Sequence, residues 1–188
     1  MKSEVRELLV EALRDAHSAE KQAFQGMQKV LRKAASSMLR EGVQLHIDQT
    51  QTQIERLDQA MEKLEVRRTR AVCEAMRGLV EEAQREIDEQ DSKGPILDLV
   101  IVAGLQRIEH YEIAAYGTAI ALASALGEEE VAGLLSETLE EEKMTDMKLT
   151  EVTQQSIMPE ALGGESGDEG EEEPSGGRRT SSGRAKTA

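Results

Sequence analysis

The sequence predicts an all-α fold, a bundle of four long helices with a shorter fifth. Three observations carry this. Apolar residues recur at helical spacing almost from the start. Aromatic residues make up only 2% of the 188-residue chain, so the core must be built from Leu, Ile, Val, Met and Ala, which suit packed helices better than sheets. Prolines occur only at Pro95, Pro159 and Pro174, leaving long stretches free of helix breakers.

Each element follows from its own stripe. Leu9, Leu13, Ala16, Ala23, Met27 and Val30 line a first helix through about residue 33, and Ala34 to Ser37 read as a break. Leu39, Val43, Thr50, Ile54, Leu57, Met61 and Leu64 form the second stripe. Val72, Met76, Leu79, Ala83 and Ile87 form a shorter third, ended by the polar run from Asp88 to Gly94 and Pro95. The fourth runs through Leu99, Val102, Leu105, Tyr116, Ile120, Ala123 and Leu126, with Gly127 as its C-cap. The fifth holds Val131, Leu135, Thr138, Leu149 and Val152 and ends near Pro159. A four-helix bundle whose long middle crossover, between its second and third helices, carries an extra short helix is the ferritin-like arrangement. A faint echo at an offset of 92 residues, Glu20 with Glu112 and Phe24 with Tyr116, fits two helix hairpins related by pseudo-symmetry.

The bundle is expected to span residues 1–158. The remainder, 159–188, has no apolar periodicity and is rich in Gly, Ser and charge, so it reads as a disordered tail, acidic first and basic at its end. The net charge of −14 excludes a cationic nucleic-acid surface and disfavours an anionic membrane. No apolar run reaches the length of a membrane span, and the N-terminus lacks the pattern of a signal peptide. Cys73 is the only cysteine, so no internal disulfide forms, which fits a reducing cytoplasm.

Against these stripes, several ionisable residues are out of place. The seam 9, 13, 16, 20, 23, 27 includes Glu20, and the seam 39, 43, 46, 50, 54, 57 includes His46. The seam 99, 102, 105, 109, 112, 116 includes Glu109 and Glu112, and the seam 131, 135, 138, 142, 145, 149 includes Glu142, with Asp146 one turn on. All lie near the middle of their helices. Neighbouring helices in such a bundle run antiparallel, so these positions meet at one level. A single unpartnered buried carboxylate costs several kcal/mol, and a group of them unfolds the bundle or stays protonated. A pair of divalent cations resolves this. A carboxylate-rich site with one imidazole suits iron or manganese better than zinc. It varies on the pattern of a Glu from each of two helices plus Glu-x-x-His from the others.

Five strings in the same order resemble the YciE/YciF-type ferritin-like proteins of bacteria: LRDAHSAEKQ (13–22), HIDQTQTQIERL (46–57), CEAMRGLVEE (73–82), EHYEIAAYGT (109–118) and LEEEKMTDMKL (139–149). The resemblance covers residues 5 to 155. It implies a ferritin-like bundle, a homodimer, an association with stress, and metal ligation by Glu20, His46, Glu109, Glu112, Glu142 and Asp146. There are two departures: Gln49 stands where the family usually has glutamate, and His17 where it tends to have tyrosine.

The expected function is therefore a dinuclear, non-haem iron or manganese protein meeting a small oxidant, peroxide or dioxygen, in peroxide or iron detoxification. The alternative is a helical interaction or structural protein with a vestigial site. Beside the site, His110 is expected to support a ligand rather than to ligate, being about 100° round the helix from Glu109. Tyr111 and Tyr116 are expected to pack, with Tyr116 placed to hydrogen-bond a ligand. Cys73 is expected as a core thiol and the methionines as core filling.

Overall fold

The computed structural model describes residues 1–163. Five helices account for most of them: α1 (Lys2–Val30), α2 (Ser37–Lys63), α3 (Glu74–Glu89), α4 (Pro95–Leu126) and α5 (Glu129–Val152). A π-helical turn, Thr153–Ile157, leads into a last turn, α6 (Met158–Ala161). The chain is all-α among the described residues, as the periodicity predicts. Helix continues through Pro159 rather than stopping there. Met158 N–H reaches back five residues to the Thr153 carbonyl, a widened turn just ahead of a ring that would clash with a regular one. The expected tail lies outside the described residues from 164 on.

The ends follow local chemistry. Ser36 caps α2, its Oγ accepting from Leu39 N at 3.3 Å. Gly94 begins α4 at φ +65° with Pro95 in the first turn, and Gly127 closes it in the left-handed conformation at φ +79°. Two expected positions shift. Val72 is exposed, because α3 starts two residues later with Cys73 as its cap. Leu99 is only half-buried, because the inner line of α4 runs Leu97, Ile101, Val102, Leu105 and Ile108.

The long helices form a ring in which α1 touches α2 and α4, and α5 touches α2 and α4. Two apolar cores occupy its ends. One gathers Leu9, Leu13 and Ala16 with Leu57, Tyr116, Ala123, Val131 and Leu135. The other gathers Ala23, Met27, Leu39, Val43, Ile101, Leu105, Leu149 and Val152. Each helix starts in one core and ends in the other, which makes every neighbouring pair antiparallel. Helix α3 lies across α1 and α4. Its approach is close enough that a Cβ on Gly104 would meet the Ala83 Cβ at 2.8 Å. Asp98, buried on α4, ties down the α1–α2 turn by accepting from Ala35 N at 2.8 Å and Ser36 N at 2.7 Å.

Candidate metal centre

The layer between the two apolar cores is polar. Glu20, His46, Glu109, Glu112 and Glu142 are each at most 4% exposed. They come from α1, α2, α4 and α5, and each interrupts its stripe where the chain passes from one core to the other. The structure therefore brings to one depth the residues that the seams single out.

Four of them converge. One ligand atom each from His46, Glu109, Glu112 and Glu142 lies within 4.8 Å of the others. His46 Nε2 sits 3.1 Å from Glu109 Oε1 and 3.6 Å from Glu142 Oε2. The other imidazole nitrogen, Nδ1, lies 3.2 Å from Thr145 Oγ1 on α5, a contact that fixes the ring with Nε2 toward the carboxylates. Glu20 stands at the edge of this group, its Oε1 accepting from the Tyr116 hydroxyl at 2.5 Å. Tyr116 thus packs in the core and also orients a carboxylate.

Asp146 does not join the four. Its Oδ1 accepts from Gln106 Nε2 at 3.1 Å and faces His110 Nε2 at 3.3 Å near the surface. A step of four residues from Glu142 rotates it about 40° round the helix and lifts it about 6 Å along the axis, away from the cluster. His110 is largely exposed and pairs with Asp146 rather than with a member of the cluster. His17 faces Asp58, not the cluster, and Gln49 is half-buried on the same pocket wall as His46 and Glu109. Gln53 was not anticipated. It is fully buried on α2, donates to Glu141 Oε2 at 3.0 Å and leaves its own Oε1 unpartnered. Its place seven residues after His46 was the available signal.

Burial dominates the electrostatics. It pushes Glu20 up to about 8, with the Glu142 charge adding and the Tyr116 hydrogen bond opposing. It also pushes Glu109 up to about 8. Glu112 and Glu142 are raised well above the carboxylate range by burial first, with other carboxylates of the layer adding in each case. Both oxygens of Glu109, both of Glu142 and Oε1 of Glu112 are buried with no hydrogen-bond partner. Five orphaned acceptors around one imidazole fit a cation: hard oxygen donors in number, one nitrogen, and a surplus of negative charge that a divalent ion removes. A groove of about 710 Å³ between α2 and α5 leads to this layer. Its walls include Met38, Leu39, Val43 and Met144, and its inner end touches His46 and Glu109.

Four antiparallel helices, a crossover bearing a fifth and acidic donors at mid-height define a ferritin-like helical bundle. The match to known proteins is specific. Residues 4–162 match the family described as domain of unknown function DUF892, and the chain belongs to that family. It is 40% identical over 160 residues to protein YciF of Escherichia coli (strain K12), covering 84% of this chain and 95% of that one. The crystal structure of the Escherichia coli stress protein YciF superposes with a TM-score of 0.77 at 38% identity, covering 84% of this chain and 97% of YciF. YcfI from Rhodopseudomonas palustris gives a TM-score of 0.75 at 40% identity, over 78% of this chain and 92% of that one. A dodecameric thioferritin from Bacteroides fragilis shares the fold alone, with a TM-score of 0.60 at 15% identity over 86% of this chain and 99% of that one.

Proposed function

We propose that this layer holds two divalent ions, iron or manganese, and that the protein removes peroxide or ferrous iron under stress. The observation that carries the proposal is the set of five buried carboxylate oxygens without partners, on residues whose ligand atoms converge with an imidazole nitrogen. His46, Glu109, Glu112 and Glu142 would hold the ions, with Glu20 at the edge of the site. Such ions, when bound, supply reversible one-electron chemistry toward peroxide or dioxygen. The rest is the work of this chain's own residues. Thr145 keeps the His46 ring turned so that Nε2 faces the carboxylates. The Tyr116 hydroxyl holds Glu20 by one oxygen and leaves the other free. The two apolar cores exclude water above and below, which strengthens the attraction between carboxylates and cations. The apolar groove admits a small neutral molecule such as peroxide or dioxygen to the His46–Glu109 edge. The kinship to a stress protein supports the physiological setting.

Elemental analysis of the protein purified from its native host, followed by peroxide consumption of wild type against Glu112→Ala, tests this. The expected result is about two ions per chain, an activity lost in the variant, and a melting temperature raised by the metal. A folded protein that takes up neither iron nor manganese overturns it. The homodimer and a cytoplasmic site of action belong to the same proposal, and sedimentation equilibrium checks the first. Among the described residues no helix is long and apolar enough to cross a membrane.

A further inference from the structure

A second pocket, of about 360 Å³, has a chemistry contrary to that of the groove. It lies between α1 and the segment joining α2 to α3. Its walls carry Arg14, His17, Ser18, Lys21, Arg68 and Thr69. Three permanent cations converge there in a chain whose net charge is −14. The sequence places them by two separate devices. Arg14, His17, Ser18 and Lys21 share one face of α1 by helical spacing, and the joining segment contributes from the run Arg67-Arg68-Thr69-Arg70.

The donors are not used up internally. Arg14 and Lys21 form no ion pair among the described residues, Arg14 spending only its Nε on the Arg67 carbonyl at 3.3 Å, whereas Arg68 is paired with Asp58 at 2.5 Å. Ser18 Oγ already accepts twice, from Cys73 N at 2.9 Å and Gln22 Nε2 at 3.3 Å, so its own proton is left to donate. Thr69 Oγ1 accepts from Ala71 N at 3.3 Å and likewise keeps its proton. His17 is 7% exposed, and its Nε2, 3.2 Å from Asp58 Oδ1, makes no hydrogen bond. Burial holds the imidazole below its usual value, and the charges of Lys21 and Arg68 also act on it in that direction, against the opposing pull of Asp58. Lys21 and Arg68 line the same pocket as the ring. Of the carboxylates nearby, Asp58 holds Arg68 through Oδ2 and turns its buried, unpartnered Oδ1 toward His17, while Asp15 accepts from the Tyr111 hydroxyl at 2.9 Å.

We propose that this pocket binds a small oxyanion of the phosphate class, either inorganic phosphate or the phosphate group of a small monoester. Guanidinium forks and hydroxyl donors match the tetrahedral oxygens of such a group. Its volume accommodates a small phosphorylated compound, and the overall negative charge of the chain excludes long polyanions.

Isothermal titration of the full chain with inorganic phosphate, and separately with glycerol 2-phosphate, tests the pocket against sodium chloride at matched ionic strength. The expected result is saturable binding at one site per chain for at least one of the two. Binding by both, or by either alone, tells which source fits. Arg14→Gln with Lys21→Gln weakens it about tenfold or more, while Lys143→Gln, whose ammonium pairs with Glu140 elsewhere, leaves it unchanged. Lys21→Gln alone serves if the double variant fails to fold. Heats indistinguishable from chloride, or binding that survives Lys21→Gln undiminished, overturn the proposal.

Discussion

Raising the pH on metal-free protein should weaken it steeply, and the structure says by how much. Burial lifts Glu20 and Glu109 from the ordinary 4.5 to about 8. Between those two values the folded chain keeps protons that the unfolded chain has released, so stability falls as pH rises. The stabilisation is complete below about 4.5 and gone above about 8. For one group, a lift of about 3.5 units corresponds to roughly 5 kcal/mol at 1.36 kcal/mol per unit. The carboxylates interact, so the group as a whole yields less than the sum. Even one such contribution is a large part of a domain's total stability. His17, lowered from 6.5, works in the opposite direction, but only at and below that value. The window from about 6.5 to about 8 is therefore the decisive one. The assay is urea denaturation of chelator-treated protein across that window at constant ionic strength. The midpoint should fall by an amount equivalent to about 1 kcal/mol or more per pH unit. Glu20→Gln with Glu109→Gln should make the profile shallower, with Glu112 and Glu142, also raised by burial, supplying the slope that remains. Saturating manganese should reverse it, because ligation needs ionised carboxylates and releases their protons. A metal-free midpoint that stays level or climbs with pH would refute the reasoning, since it would mean that these carboxylates are hydrated.

Two further perturbations probe how the fold holds the layer in place. Asp98→Ala removes both acceptors that fix the α1–α2 turn and leaves two backbone N–H groups without them, so thermal denaturation should show a loss of about 2–3 kcal/mol. Gly104→Ala should destabilise by about 1–3 kcal/mol despite the better helix propensity of alanine, because the new methyl group meets Ala83 at 2.8 Å. A gain in melting temperature in that variant would show that α3 moves away freely.

The run Leu139-Glu140-Glu141-Glu142-Lys143 shows where sequence reading succeeds and where it stops. Heptad spacing alone picks Glu142 as the inward member, and it is fully buried. The same spacing picks Glu20, His46, Glu109 and Glu112, because a helix has one apolar face and an acid on it is conspicuous. Helix periodicity likewise reveals the fold class, the helix order and the Gly127 cap. What spacing cannot say is which outward acid has a partner. Glu141 is gripped by Arg56 from α2 at 2.6 Å and by Gln53, while Glu140 pairs locally with Lys143.

Asp146 marks the same boundary from the other side. One helical turn from Glu142, it is close enough to the seam to look like a ligand, yet a rotation of about 40° hands it to Gln106 and His110. Periodicity within one chain segment is a local property, so the sequence by itself determined the helices, their inward faces and the depth of the acidic layer. Which side chains meet across that layer depends on the rotation and spacing of four separate helices. The pairings of Tyr116 with Glu20, of Thr145 with His46 and of Asp98 with the α1–α2 turn join residues more than 60 positions apart. Only the tertiary structure decided those, because contacts between helices are set by packing rather than by the pattern of any one of them.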